Sequence, residues 1–162
     1  MAEIALARVD ARMIHGAVLT TWVPYSKCDI LIAVDDKTSE DEFICTIMKN
    51  CAVNTRSEIF SAQKFVDVWN SGRLKTRRVL VVFKSIEMAY KVFKLGVEFP
   101  ELQLGYIIPN ENTTIQCDER GAVKVSPDDI EKLKELNKEH NVKVYMQYSP
   151  EFVPVTYEKY EV

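Results

Sequence analysis

Short apolar runs alternate along the chain with segments in which apolar residues recur at helical spacing. Runs typical of buried strands occupy residues 4–7, 30–34, 56–60, 77–83, 102–107 and 142–146. Amphipathic segments that predict helices occupy residues 17–25, 38–52, 61–70, 85–95 and 127–136. This regular order predicts an α/β fold with an open, mainly parallel sheet and helices on both faces.

The stretch 113–125 is less regular than the rest of the chain. Residues that favour strands flank Asp118-Glu119-Arg120-Gly121, which predicts one or two short strands there. The sequence contains no Gly/Ser-rich linker, no repeat and no shift in composition that would divide it. We therefore expect a single domain over residues 1–162.

The loop after the first predicted strand is the first place to expect a functional site, because ligands of such sheets bind beyond the carboxyl ends of the strands. This loop contains Arg8, Asp10, Arg12, His15 and Gly16, and a predicted helix follows it directly. An imidazole at a helix start lies close to free backbone N–H groups. The loop is therefore a candidate anion site.

These residue types suit the transfer of a phosphoryl group. A neutral ring nitrogen of His15 can attack phosphorus, while Arg8 and Arg12 can hold the phosphate oxygens. Asp10 can orient the imidazole or hold an arginine, and Gly16 allows the backbone to approach a bound phosphate closely. From spacing alone, an ordinary loop histidine beside a surface ion-pair cluster explains the segment equally well.

Other polar residues near strand ends are weaker candidates. Lys84 follows the strongest strand signal and can bring positive charge to the same sheet edge, although a solvated lysine explains it at least as well. Asp35 and Asp36 follow the second predicted strand, where a turn before a helix is a more common explanation than a magnesium site. His140 follows a predicted helix, and we interpret it as structural.

Composition and charge argue against several classes of function. The net charge is −3 and Lys and Arg are scattered among acidic residues, so we expect no nucleic-acid partner. The cysteines form no CxxC pair and the chain has only 2 histidines, so we expect no structural zinc and no other metal or cofactor. The absence of a signal-peptide pattern and of a long apolar run predicts a cytoplasmic protein.

The N-terminal segment carries a specific resemblance. Residues 4–16, IALARVDARMIHG, are followed by Trp22 and by residues 32–36, IAVDD. Together they closely resemble the IIB subunits of the mannose/fructose/sorbose family of the bacterial sugar phosphotransferase system. Similar segments continue at 48–49, 82–84, 104–105 and 128–150, so the resemblance spans nearly the whole chain.

The resemblance implies a function and a set of partners. The histidine matching His15 would be phosphorylated on ring nitrogen Nδ1 by a IIA phosphocarrier and would pass the phosphate to a sugar held by membrane IIC and IID subunits. The residues matching Arg8, Asp10 and Arg12 would line the phosphate loop. The chain would then be a protein-N(π)-phosphohistidine–sugar phosphotransferase at the inner face of the membrane, without a cofactor, and it could form a homodimer.

Departures from the family pattern keep alternatives open. Ala17 stands where the family commonly has Gln, residues 51–55 lack the usual Pro-Gly, and residues 103–106 lack the Asn and paired Gly often found there. One alternative is therefore a regulatory protein that has kept the fold and lost transfer. Another is a receiver-like signalling module phosphorylated on Asp35 or Asp36, with Lys84 neutralising the charge.

Overall fold

Most strands of the protein form one sheet. The computed structural model describes residues 1–160, so Glu161 and Val162 of the predicted domain lie outside the described residues. The strands are β1 Glu3–Asp10, β2 Ile30–Val34, β3 Ser57–Phe60, β4 Arg78–Phe83, β5 Glu101–Tyr106, β6 Ile115–Gln116, β7 Lys124–Val125, β8 Lys143–Met146 and β9 Val155–Thr156. The main sheet has the order β3-β2-β4-β1-β5-β8-β9, in which only β9 runs antiparallel to its neighbour in the described chain, and β6 pairs with β7 separately.

Helices connect the strands. Helix α1 consists of a π-helical segment, Val18–Trp22, and an α-helical turn, Val23–Ser26. The others are α2 Asp36–Glu40, α3 Glu42–Cys51, α4 Ala62–Asn70, α5 Ile86–Lys94 and α6 Pro127–Lys134, which continues as a π-helical segment Glu135–Glu139. A short 3-10 helix, Tyr157–Tyr160, follows β9. Within residues 1–160, every helix is too short or too polar to cross a bilayer.

The side chains of each central strand alternate between two apolar clusters, one on each face of the sheet. In β4, Val81 and Phe83 lie in the larger cluster, whereas Leu80 and Val82 lie in the smaller cluster with Trp22 of α1. Both faces of the sheet are therefore covered, which explains why these strands are apolar at consecutive positions. The predicted α/β fold with helices on both faces is confirmed.

Two predicted boundaries are wrong. β1 continues through Arg8 and Asp10, which the charge pattern assigns to the loop; their side chains are buried together and neutralise each other, so the charges do not end the strand. The helix predicted over 38–52 is two helices, because the Asp41 carboxylate accepts the N–H of Ile44 and starts a new helix, α3. The antiparallel edge strand β9 was not predicted at all.

The sheet order brings the carboxyl ends of β4, β1, β5 and β8 side by side. Arg8 of β1 is in register with Gln103 of β5, which is in turn in register with Tyr145 of β8. The loops after these strands therefore form one rim, and the loop after β1 lies in its middle.

Candidate active site

Buried side chains hold the loop after β1 in place. Met13 and Ile14 are almost completely buried in the smaller apolar cluster. The Met13 N–H donates to the Asp10 carbonyl at 2.9 Å, and Met13 has a φ of 59°, a left-handed conformation that is uncommon outside glycine. Burial of these two apolar side chains fixes this tight turn, which presents His15 at the edge of the sheet.

The Asp10 carboxylate is the centre of the site's charges. It is completely buried and accepts hydrogen bonds from two guanidinium groups. Arg8 Nη2 donates to Oδ2 at 3.1 Å, while Arg12 Nε and Nη2 donate to Oδ1 and Oδ2, each at 3.0 Å. The backbone N–H of Arg12 donates to Oδ1 at 3.1 Å. One carboxylate thus holds two cations.

The Arg8 guanidinium lies beneath the loop. Its side chain is 1% exposed, and the guanidinium carbon lies 4.5 Å from the centre of the Trp22 ring. Its Nη1 donates to Gln103 Oε1 at 2.5 Å and to the Gln147 carbonyl at 3.1 Å. Burial lowers the pKa of Arg8 against the opposing effect of Asp10. Because the group is turned away from solvent, its geometry favours a positioning role over the predicted direct contact with phosphate.

The Arg12 guanidinium is the more exposed of the two cations. Its side chain is 35% exposed, and the guanidinium carbon lies 4.8 Å from the centre of the Tyr106 ring. The hydrogen bonds to Asp10 raise the pKa of Arg12, although partial burial opposes them. Arg12 is therefore a stable cation that an anion can reach from solvent.

The two ring nitrogens of His15 face different surroundings. Nδ1 accepts the backbone N–H of Ala17 at 3.3 Å, so this nitrogen presents a lone pair. Nε2 is enclosed, lies 3.7 Å from Asp10 Oδ1 and has no hydrogen-bond partner within residues 1–160. Burial, followed by the charge of Arg12, lowers the pKa of His15 more than Asp10 raises it. A neutral ring with its proton on Nε2 fits this geometry.

The helix that follows begins at the histidine. The His15 carbonyl accepts the N–H of Leu19 at 2.9 Å, and Gly16 and Ala17 are already helical. A Cβ placed on Gly16 would meet nothing within 4 Å, so open space lies beside the Gly16 backbone. Ala17 is exposed and offers only its backbone N–H to the loop, where a Gln would add a side-chain amide.

Lys84 lies on the same sheet edge but in another cluster. Its Nζ contacts Asp35 Oδ2 at 3.3 Å and Thr38 Oγ1 at 3.0 Å. Asp35 also accepts the Thr38 N–H at 2.9 Å, and Asp36 pairs with Lys91 at 2.7 Å. The structure thus gathers the predicted site residues of the first loop, whereas Lys84 binds an acid that follows β2.

Sequence reasoning missed the residues around Arg8. Gln103 and Gln147 are buried, and Gly105 leaves the space that the guanidinium fills, because a Cβ on Gly105 would lie 2.0 Å from Arg8 Nη2. The signal for Gln103 is a polar residue between two leucines in a strand buried on both faces. Such a residue needs a buried polar partner, and Arg8 is the one it finds.

A second titratable cluster lies at the end of α6, away from the first loop. Glu135, Glu139 and His140 have potential ligand atoms within 4.8 Å of one another. Glu135 already accepts hydrogen bonds from Tyr90 and Lys94, each at 2.7 Å. This network is consistent with the structural interpretation of His140.

Comparison with known proteins relates both the sequence and the fold to one family. The family described as "PTS system sorbose subfamily IIB component" matches residues 4–155. The sorbose-specific EIIB component of Lacticaseibacillus casei is 29% identical over 135 residues, which cover 83% of this chain and 80% of the relative. The mannose-specific EIIAB component of Escherichia coli K12 is 27% identical over 135 residues, 83% of this chain but 41% of that protein.

Solved structures agree with this relationship. The IIBSor domain of the sorbose permease from Klebsiella pneumoniae superimposes with a TM-score of 0.86 at 25% identity, over 94% of this chain and 92% of that domain. The manxB protein from Thermoanaerobacter tengcongensis gives a TM-score of 0.87 at 26% identity, over 98% of this chain and 94% of the other.

The parallel sheet and the charged histidine loop at its edge define an α/β protein with a candidate anion site. The match over residues 4–155 identifies it further. The chain belongs to the sorbose-type IIB family of the phosphotransferase system, as the resemblance predicted, and it is a component of a sugar phosphotransferase system.

Proposed function

We propose that this protein accepts a phosphoryl group on Nδ1 of His15 from a IIA protein and transfers it to a sugar. The observation that carries the proposal is the orientation of the ring, whose unprotonated Nδ1 faces the helix start and accepts the N–H of Ala17. Arg8 and Arg12 supply positive charge in the same segment. The mannose-specific relative is described as an EIIAB component, which supports a IIA protein as the donor.

In the first transfer, the Ala17 N–H releases Nδ1, and the freed lone pair attacks phosphorus while the bond from phosphorus to the IIA donor breaks. Arg12 and the backbone N–H groups at the start of α1 bind the phosphoryl oxygens, and Gly16 leaves room for them. Asp10 holds Arg12 and faces the Nε2 proton. Positioning and charge stabilisation supply most of the catalysis of such transfers.

In the second transfer, a sugar hydroxyl attacks the same phosphorus while the bond to Nδ1 breaks. The hydroxyl proton passes to a base at the sugar site, and His15 recovers its lone pair. We propose that membrane IIC and IID subunits hold this sugar and keep the protein, as one domain, at the inner face of the membrane. The predicted homodimer stays a prediction.

The lowered pKa of His15 assists the first step. An imidazolium has no lone pair on Nδ1, so only the neutral ring can attack phosphorus. Because burial and Arg12 lower the pKa, the ring is neutral at pH values where an ordinary histidine is partly protonated.

Phosphate labelling tests the proposal directly. The protein is incubated with labelled phosphoenolpyruvate, the general phosphotransfer proteins and a IIA protein of a sorbose-type system. We expect label that is lost in acid and retained in alkali, present in the wild type and absent from His15→Ala. The matched control is His140→Gln, which removes the other histidine and should label normally; label on His15→Ala would contradict the proposal.

The same labelling experiment tests the receiver-like alternative, and a transfer assay in vesicles tests the regulatory one. Phosphate on Asp35 or Asp36 would be an acyl phosphate, which alkali cleaves, and Asp35→Asn would then lose label. A regulatory protein that has lost transfer would label on His15 but would pass no phosphate to sugar in vesicles that contain the IIC and IID subunits. Transfer to sugar in those vesicles would exclude the regulatory alternative.

A further inference from the structure

We propose that Gln103 and Gln147 are positioning residues for His15: their buried carboxamides hold Arg8 against Asp10, and Asp10 in turn keeps the His15 proton on Nε2. This inference rests on the proposed function, because it explains how the ring is prepared for phosphorylation. Both residues lie outside the histidine loop, on β5 and directly after β8.

The two carboxamides form a chain of hydrogen bonds with one direction. Arg8 can only donate, so Gln103 must present its oxygen, which accepts from Arg8 Nη1 at 2.5 Å. The Gln103 amide nitrogen therefore donates to Gln147 Oε1 at 3.2 Å, and the Gln147 amide nitrogen donates to the Phe152 carbonyl at 2.9 Å. The cation at one end orders the whole chain.

The chain is buried along its length. Gln103 is completely buried, Arg8 is 1% exposed and Gln147 is 6% exposed. Buried polar groups without partners are unfavourable, so each member of the chain depends on its neighbours. The missing side chain at Gly105 and the Trp22 ring close two further sides of the guanidinium. Arg8 therefore has one well-defined position.

Arg8 and Arg12 together determine the position of Asp10, and Arg12 holds Oδ1 through its Nε and its backbone N–H. Arg8 Nε and Nη2 both donate to Asp10 Oδ2, at 3.3 and 3.1 Å. This leaves Oδ1 facing the His15 ring, with Nε2 at 3.7 Å. If Arg8 loses its hold on Gln103, Oδ2 keeps only its hydrogen bond from Arg12 Nη2, so the carboxylate can turn and its negative charge, which favours a proton on the nearby Nε2, is displaced.

The test compares Gln103→Leu and Gln103→Glu with the control Gln63→Leu. Gln63 is an exposed residue of α4 that donates to Asp67 at 2.9 Å, remote from the loop. The readouts are the 15N chemical shifts of the His15 ring, which report the tautomer and the pKa, and the initial rate of phosphorylation by IIA. Besides burial, the charges that act on the pKa of His15 are those of Arg12, Asp10 and Arg8.

We expect Gln103→Leu to lower the fraction of the Nε2-protonated tautomer and to slow phosphorylation roughly tenfold to a hundredfold. The KM for IIA should stay unchanged, because the altered residue is buried. Gln103→Glu keeps an acceptor for Arg8 and should retain the tautomer, while its added negative charge should raise the pKa of His15. Gln63→Leu should match the wild type.

An unchanged tautomer and pKa in Gln103→Leu would overturn the inference. If that variant does not fold, Gln103→Met decides, because it removes the same acceptor with a more flexible side chain, and an unchanged tautomer in it would overturn the inference as well. The NMR readout needs no phosphate donor. Failure of the wild type to accept phosphate would therefore contradict the proposed function, whereas an altered ring in Gln103→Leu would still support the positioning role.

Discussion

The last residue of β1 and the first residue after β2 each place a buried carboxylate at the same edge of the sheet, yet the two carboxylates have different surroundings. Asp35 caps α2, accepts the Thr38 hydroxyl at 2.6 Å and binds Lys84, so one acid meets one cation. Asp10 binds both Arg8 and Arg12, so one acid meets two cations.

The difference in charge separates a structural cluster from a site for an anion. The Asp35 cluster is neutral and its groups are used within the fold. The Asp10 cluster has an excess of positive charge next to a neutral imidazole, and a phosphoryl group brings roughly two negative charges. The sequence presents both clusters as acids and bases near strand ends, and only the pairing in three dimensions distinguishes them.

Replacing each carboxylate in turn by an amide should give the largest difference in stability and phosphorylation between the two clusters. Asp10→Asn leaves the buried Arg8 without its counter-charge, so we expect a loss of about 3–5 kcal/mol in the free energy of unfolding and strongly reduced phosphorylation. Asp35→Asn keeps a capping side chain and loses a partly exposed ion pair, so we expect about 1 kcal/mol or less and normal phosphorylation. Urea unfolding and labelling measure both, and equal losses for the two variants would contradict the comparison.

The next largest effect should be the difference in stability between alanine substitutions at the two glycines near the site. A Cβ on Gly105 would overlap the Arg8 guanidinium, so Gly105→Ala should destabilise the protein by about 1–3 kcal/mol and slow phosphorylation. Gly16→Ala meets open space in a helical segment and should leave stability unchanged or slightly improved. Thermal unfolding of both variants gives the comparison; a stable Gly105→Ala with normal activity would contradict the assigned packing of Arg8.

Replacing one cation of each cluster by Gln should distinguish the clusters through the pH dependence of the phosphorylation rate. Arg12 lowers the pKa of His15, so Arg12→Gln should raise that pKa and move the acid limb of the phosphorylation rate to higher pH. The maximal rate should also fall, because a phosphate ligand is lost. Lys84→Gln, the matched change in the other cluster, should leave the profile in place. A shift of equal size in both variants would remove the distinction between the clusters.

The smallest expected effect is on stability in acid. The folded state lowers the pKa of His15, so the unfolded chain binds a proton more readily as pH falls below about 6.5. Stability should therefore decrease as pH falls from there towards the lower pKa of the folded state. His15→Ala should lack this contribution, whereas His140→Gln should retain it, as measured by urea unfolding between neutral and acidic pH.

The order of strands and helices was predictable because strands buried on both faces are apolar at consecutive positions. Arg8 and Asp10 were misassigned to a loop, since a local pattern reports charge but not the distant partners that allow a charge to be buried. Gln103 is the same case. Its role depends on a register with β1 that the sequence does not display.

The candidate loop itself was predictable, because the carboxyl end of the first strand, the helix start and the His15 motif coincide. The roles of the individual residues at this site were less predictable. Arg8 and Arg12 look equivalent in the sequence, and only burial beneath Trp22 separates the positioning cation from the exposed one.

The central claim is that Nδ1 of His15 carries the phosphate. NMR of the phosphorylated, 15N-labelled protein tests it most directly, because coupling between phosphorus and the ring identifies the substituted nitrogen. We predict one phosphorylated ring, that of His15, with phosphorus on Nδ1 and a proton on Nε2. Phosphorus on Nε2, or on a residue other than His15, would contradict the claim.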